Sequence, residues 1–471
     1  MTTLRKILVG SAIVLVLVIL ALLFALWIKP PELLRVGANY SAKIVCSNVF
    51  LAGRDPEAVL RSDVQAPGVA LLRLMRVSVD RDHHTVRAGL LGFIGDGLAV
   101  ARPGTGCAVV PDGNLALATG TGFAPTDAGA KPTDTTPTDT TPTGATPADT
   151  PWPDGDAVAT LAALDRILAD DTLAGPGMRA IVVVDHGRIV AERYGDGFSA
   201  ATPLLGWSMT KSVVAGLAGM LIKDGRLSLD QYAGWPGGDD RAHIRIADLL
   251  AMSSGLRFNE AYGAVSDVTR MLYLEPDMAR FARAQPLEHP TGESWSYSSG
   301  TANILSRIVQ DAAAPQGAAY PAERLFKPLG MMSATLEADE HGTLVGSSYM
   351  YATARDWARY GLFLSHGGVW RGQELLPRGF VAMMASPVAA SGGQYGHGLV
   401  WLWGSDAVVP GENPDAAFGI PADTFWMEGH DGQSTAIIPS RDLVVVRLGL
   451  TPARDHYQPQ PLVQAVLNSL R

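Results

Sequence analysis

Cysteine is almost missing from this chain. Its 471 residues hold only Cys46 and Cys107, too few for a scaffold of disulfides. In an oxidising compartment the two most simply bond to each other; a pair of buried thiols is the alternative. Charge is also scarce, at 18% of residues against 47% hydrophobic, and the formal net charge of -9 comes with no basic patch. Nucleic acid is therefore excluded as the partner. A chain this long and apolar can bury a large core, and its length suggests two or three domains.

Charge is absent altogether from Ile7 to Ile28. At 1.5 Å per residue that run spans about 33 Å, enough to cross a bilayer and too long for the apolar centre of a cleaved signal peptide. Trp27 and Lys29 stand at its exit, and no small-x-small cleavage site is evident. Residues 1–29 thus read as a cytoplasmic tip and an uncleaved transmembrane anchor, with a removed signal peptide as the rival. Arg5 and Lys6 before the run, against Lys29 after it, place the body of the chain outside the cytoplasm, anchored in the inner membrane and facing the periplasm or exterior.

Residues 30–120 offer short β-like pieces, such as Gly68 to Met75 and Arg76 to Val79, and contain both cysteines. They read as a small β-rich module with no chemistry assigned. Asp80, Asp82, His83 and His84 share one polar turn, where solvation is the plainer reading than a metal site. Residues 121–155 are dominated by Pro, Thr and Asp with a near-repeat at Pro132 and Pro137, and read as a linker or long surface loop.

The large domain, 156–471, has strand signals at both ends. Arg179 to Tyr194 reads as a hairpin turning at Asp185-His186-Gly187, and Ser434 to Gly449 as another turning at Pro439 to Asp442. Between them the expected elements are mainly helical: Asp156 to Asp170, Arg245 to Met252, Ser266 to Ala284, Thr301 to Ala313, Pro321 to Leu329 and Ala354 to Ser365, with Pro461 to Leu470 closing the chain. The fold class is α+β, one antiparallel sheet built from both ends of the domain with a helical insert beside it. A cleft between the two parts is the natural site.

Gly206-Trp207-Ser208-Met209-Thr210-Lys211 runs into apolar residues at helical spacing, Val214, Leu217, Ala218, Leu221 and Ile222, up to Asp224-Gly225. Ser208 and Lys211 then share one face of the first turn. A lysine with its pKa lowered by desolvation can take the serine proton, and the helix N-terminus favours the alkoxide. The plainer alternative is an N-cap serine beside a solvated lysine. Tyr297, in Trp295-Ser296-Tyr297-Ser298-Ser299-Gly300, is a candidate acid/base. Glu428-Gly429-His430-Asp431-Gly432-Gln433 leads into the last hairpin, and the backbone N–H groups of Gln433 and Ser208 are a candidate oxyanion hole.

Ser208-x-x-Lys211, Tyr297-x-Ser299 and His430-x-Gly432, in this order, resemble the serine β-lactamase and penicillin-binding-protein superfamily, in particular its class C-like branch of esterases, D-aminopeptidases and 6-aminohexanoate-dimer hydrolases. Leu249 to Leu256, Leu325 to Met331 and Ala352 to Gly361 are similar to recurring stretches of that family. The resemblance covers residue 156 onward. It implies Ser208 as acylated nucleophile, Lys211 as proton acceptor, Tyr297 as partner acid/base, and His430 and Gly432 as a wall of the cleft. Ser299, Trp207 and Tyr262 join His430 and Gly432 as candidate substrate contacts, with helix anchoring the alternative for Trp207; Tyr262, Tyr349 and Tyr351 are aromatic candidates for the cleft whose plainer reading is structural.

Two departures bear on the substrate. Ser299 stands where the family commonly has Asn, and His430-Asp431-Gly432 where penicillin-recognising members have Lys-Thr-Gly or Lys-Ser-Gly. Histidine is mostly neutral near pH 7 and lacks the fixed charge that suits a β-lactam carboxylate. The expected activity is cleavage of a carboxylic ester or small linear amide, with no metal or organic cofactor. The rivals are a D,D-peptidase or β-lactamase, and a non-catalytic envelope binding module.

Overall fold

The computed structural model describes residues 2–66, 69–123, 149–405 and 412–470. Residues 124–148, most of the expected linker, lie outside them. Helix α1 (Thr2–Ile28) exposes its apolar side chains, and the stretch Ile7–Ile28 is long and apolar enough to cross a membrane. After three intervening residues α2 (Glu32–Phe50) begins. The sequence reading had only β-like pieces here, and this helix corrects it. Its polar residues hid it: Asn39, Ser41, Lys43 and Ser47 are all buried, so α2 carries no simple apolar stripe.

Each of those polar groups has a partner. The Asn39 amide donates to the Tyr273 carbonyl at 2.7 Å and accepts from Leu98 N–H at 3.2 Å. Lys43 bonds Ser47 at 2.9 Å and pairs with Glu337. Across α2 lies an antiparallel meander, β1 (Met75–Asp80), β2 (Thr85–Leu90), β3 (Ile94–Arg102) and β4 (Gly106–Val109), paired in that order. The segment Ala70–Leu74, expected as β-like, is a short 3-10 turn leading into β1. Cys46 of α2 and Cys107 of β4 form a disulfide with their Cα atoms 6.1 Å apart. In the β1–β2 turn the Asp80 carboxylate accepts from the backbone N–H groups of Asp82 and His83, both at 3.0 Å, so it caps its own turn.

The large domain contributes α3 (Ala162–Leu168), β5 (Met178–Asp185), β6 (Arg188–Tyr194), α4 (Met209–Lys223), α5 (Asp267–Leu274), α6 (Ser299–Ala312), α7 (Ala354–Ser365), β7 (Phe425–Gly429), β8 (Gln433–Ile438), β9 (Leu443–Gly449) and α8 (Gln460–Ser469). The strands make one antiparallel sheet in the order β7-β8-β9-β5-β6, so β9 from the end of the domain pairs with β5 from its beginning. Runs such as Ala180 to Val184 and Val444 to Val446 are buried because both faces are covered. One face packs on α7; the other, with Ile181, Val183 and Val445, packs on α3 and α8.

Helix α4 is hydrophobic almost all round and sits at the centre of the helical part. Two expected helices are shorter than read. Of Asp156 to Asp170 only Ala162–Leu168 is helical, because Ala159 and Leu161 donate instead to the Ile189 and Val190 carbonyls along β6. Ser266 to Ala284 is two helices, broken at Pro276, whose ring cannot continue the first. The small module and the large domain share one apolar core, which runs from Val45 and Val109 to Trp207 and Met209.

Candidate active site

Ser208 stands at the N-terminus of α4, held there by a tight turn. Trp207 has φ +48, in the left-handed region that costs a non-glycine residue about 1–3 kcal/mol. Two glycines let other parts close on this turn. A Cβ on Gly206 would lie 2.2 Å from the Trp357 ring, and one on Gly429 would lie 2.2 Å from the Gly206 carbonyl oxygen. Strand β7 therefore ends directly against the turn that presents Ser208. Although Ser208 occupies the cap position, its side chain makes no capping bond.

That hydroxyl is engaged elsewhere. Lys211 Nζ lies 2.8 Å from Ser208 Oγ, 3.1 Å from Ser299 Oγ and 2.9 Å from the Ser347 carbonyl oxygen. Lys211 is buried, and loss of hydration brings its pKa down to about 8, against the opposing charge of Glu260. Tyr297 stands beside them, its ring centre 4.7 Å from Lys211 Nζ; burial, then the Glu260 charge, hold its hydroxyl above the usual phenol range, with the Ser208 hydroxyl opposing the rise, so it stays a proton donor at neutral pH. Trp401 stacks on the Tyr297 ring at 5.3 Å and Tyr395 meets it edge-on at 5.8 Å, fixing its direction.

Glu260 was not anticipated from the sequence. Its carboxylate accepts from Ser299 Oγ at 2.6 Å and from Ser299 N–H at 2.8 Å. Burial raises its pKa and the Lys211 charge opposes the rise. It lies in the aperiodic loop before α5, where a glutamate reads as solvated, so no local signal could have found it. The Ser347 carbonyl, a backbone group, was equally invisible.

The expected site residues divide into three groups. Ser208, Tyr297, Tyr262, His430, Gly432 and Gln433 line one cleft of about 520 Å³. The Gln433 side chain locks the hairpin turn there, donating to the His430 carbonyl at 3.0 Å and the Gly449 carbonyl at 2.7 Å. Trp207 lies behind that cleft and meets the His430 ring edge-on at 5.6 Å, while Tyr262 stacks on His430 at 4.6 Å. Ser299 departs from expectation: it is fully buried, with its hydroxyl taken up by Lys211 and Glu260, and does not border the cleft. Tyr349 and Tyr351 are buried in the core.

A sequence profile of the family described as Beta-lactamase matches residues 164–456. The chain belongs to the β-lactamase family of serine hydrolases. Among curated relatives, the 6-aminohexanoate-dimer hydrolase of Paenarthrobacter ureafaciens is 24% identical over 59% of this chain and 73% of its own. Two solved structures share the fold at 20% identity. One, assigned as a 6-aminohexanoate-dimer hydrolase from Bacillus anthracis, has a TM-score of 0.54 over 66% of this chain and 86% of its own. The other, assigned as a β-lactamase from Bacteroides dorei, has a TM-score of 0.52 over 65% and 98%. Within this family the cluster of Ser208, Lys211 and Tyr297 has the parts of an acyl-transfer site: a hydroxyl, a desolvated amine bonded to it and a phenol beside them.

Proposed function

We propose that this chain is a membrane-anchored, extracytoplasmic serine hydrolase that cleaves a carboxylic ester or small linear amide through an acyl-Ser208 intermediate. The observation that carries the reading is the set of partners around Lys211. The Ser347 carbonyl can only accept, and Ser299 gives its hydroxyl proton to Glu260, so its oxygen also accepts. A neutral amine has two N–H bonds to give, one to each, and its lone pair then faces Ser208 Oγ at 2.8 Å.

The chemistry follows from that arrangement. Neutral Lys211 takes the Ser208 proton as Oγ attacks the substrate carbonyl, and the new oxyanion is met by the N–H groups of Ser208 and Gln433. Tyr297 gives its proton to the leaving alcohol or amine and regains one from the Lys211 ammonium. Water then enters by the reverse sequence, releasing the acid and restoring Ser208. With a pKa of about 8, roughly a tenth of Lys211 is neutral at pH 7, enough to sustain turnover.

For the location, α1 supports an anchor by length and composition, and Arg5 and Lys6 ahead of it support an exported body. His430, in place of a lysine, supports esters or amides over β-lactams. The test is intact-mass detection of adducts after exposure to a fluorophosphonate, an activated short-chain ester and a penicillin, wild type beside Ser208→Ala. A wild-type adduct missing from the variant is expected. Folded wild-type protein that takes no label from any probe would instead favour a binding module.

A further inference from the structure

A second cavity adjoins the catalytic cleft, and its far wall belongs to the small module. It has a volume of about 410 Å³ and is bordered by Leu33, Val36, Leu71 and Leu72 on one side and by Ala264 and Tyr273 on the other. Trp207, Tyr262, His430 and Asp431 border it too, and the last three of these also border the cleft that holds Ser208. The His430–Tyr262 stack is thus a partition between an acyl-transfer site and an apolar groove.

The groove also opens beside the end of the helix proposed as the anchor. Leu33 lies at the start of α2, which is separated from the end of α1 by three residues. At the groove's edge the module exposes Leu33 and Val69, and further along the same segment and the next strand turn it exposes Leu74, Leu91 and Phe93, an apolar rim. Leu91 N–H bonds the Leu74 carbonyl at 2.9 Å, so the backbones of two of these residues are held together. An apolar rim beside a membrane-length helix, opening to an apolar groove that ends at the nucleophile's own wall, is a path for a hydrocarbon chain.

We propose that this groove seats an aliphatic chain of the substrate, taken up from the bilayer surface, so that the ester or amide cleaved at Ser208 is that of a long-chain amphiphile. This rests on the hydrolase reading of the adjoining cleft. No bond is made or broken in the groove; it contributes affinity alone, and each seated methylene is worth about fourfold in kcat/KM.

The test uses the full chain in phosphatidylcholine vesicles. Turnover of 4-nitrophenyl dodecanoate is compared with that of 4-nitrophenyl acetate in wild type, Leu71→Trp and Leu72→Trp; both positions are half-buried on a short turn, so that if one variant misfolds the other remains. The dodecanoate is expected to be preferred by at least about 100-fold, the product of several methylenes. Either tryptophan is expected to cut that preference at least tenfold. Acetate turned over with no chain-length preference, or a preference that neither variant changes, would overturn the groove. A second measurement does not depend on catalysis: Ser208→Ala in the same vesicles is photolabelled with a diazirine-bearing dodecanoic acid. Label on the peptides containing Leu33 to Val36, Leu71 to Leu72 or Ala264 supports the proposal, and label confined to α1 overturns it. If wild type cleaves neither ester, the hydrolase reading falls while the labelling pattern still decides the groove.

Discussion

Lys211 and Glu260 are joined through a single hydroxyl: Ser299 Oγ lies 3.1 Å from the amine and 2.6 Å from the carboxylate. The relay fixes the direction of two hydrogen bonds. It also sets the lysine between two opposing influences, burial that drives its proton off and a carboxylate that holds it on.

The first prediction concerns pH. If neutral Lys211 is the base, kcat/KM rises as pH passes its pKa, so the ascending limb in wild type is expected near 8. Glu260→Gln keeps an acceptor for Ser299 and removes the charge that raises the Lys211 pKa. With that charge gone the amine deprotonates at lower pH, and the limb is expected to move to the acid side. A limb that stays in place, or moves to higher pH, would show that Glu260 does not act through Lys211.

Tyr297 gives a second prediction, read through the leaving group. An anilide or alkylamide leaves only if protonated, whereas 4-nitrophenolate leaves unaided. Tyr297→Phe is expected to cost on the order of 10²–10⁴ in kcat for an amide and less than about tenfold for the nitrophenyl ester. Equal losses on both substrates would mean that the tyrosine orients Ser208 rather than delivering a proton.

Much of this was legible in the chain, for identifiable reasons. The outer hairpins announce themselves because Val-rich runs flank turn residues, and His186 and Gly187 both take positive φ at the first of them. Helix α7 runs from Ala354 to Ser365, as its apolar spacing predicts, and Thr353 caps it by accepting from the Asp356 N–H at 3.2 Å. Ser208, Lys211 and Tyr297 were readable because their spacing carries chemistry. Helix α2 was not, since Asn39, Lys43 and Ser47 are buried by virtue of partners far along the chain, at Tyr273 and Glu337. Ser299 was read as facing the substrate for the same kind of reason: its true partner, Glu260, is brought in by a loop without pattern.

The disulfide supplies a third prediction. Cys46 and Cys107 close a loop with a sequence separation of 61, and neither thiol is exposed. Replacing both with alanine is expected to cost about 2–4 kcal/mol by releasing that loop in the unfolded chain. Denaturant titration of the double variant measures it directly, and a midpoint equal to wild type would show that the pair contributes nothing.

The last prediction tests the seam between the small module and the large domain. Lys43 and Glu337 are both buried there; the carboxylate also takes the Ser47 hydroxyl at 2.9 Å and the Cys107 N–H at 2.7 Å, while the Lys43 ammonium lies 4.1 Å from the centre of the Tyr349 ring. Lys43→Met takes from the buried carboxylate its bonded countercharge, leaving Arg102 as a more distant positive neighbour; losing one partner costs about 3–5 kcal/mol where it has been measured for buried pairs. Adding Glu337→Gln removes the stranded charge and keeps an oxygen for Cys107, so the double variant is expected to regain most of that loss. The order matters more than the sizes: a double variant no more stable than Lys43→Met would mean that burial of the lysine stem, not the pairing of charge, holds the seam. Because Tyr349 also touches Trp207, at 6.1 Å between ring centres, the same variants report on the active site. A displaced Tyr349 frees the turn that presents Ser208, so acylation by the fluorophosphonate is expected to slow in Lys43→Met and to recover with stability in the pair.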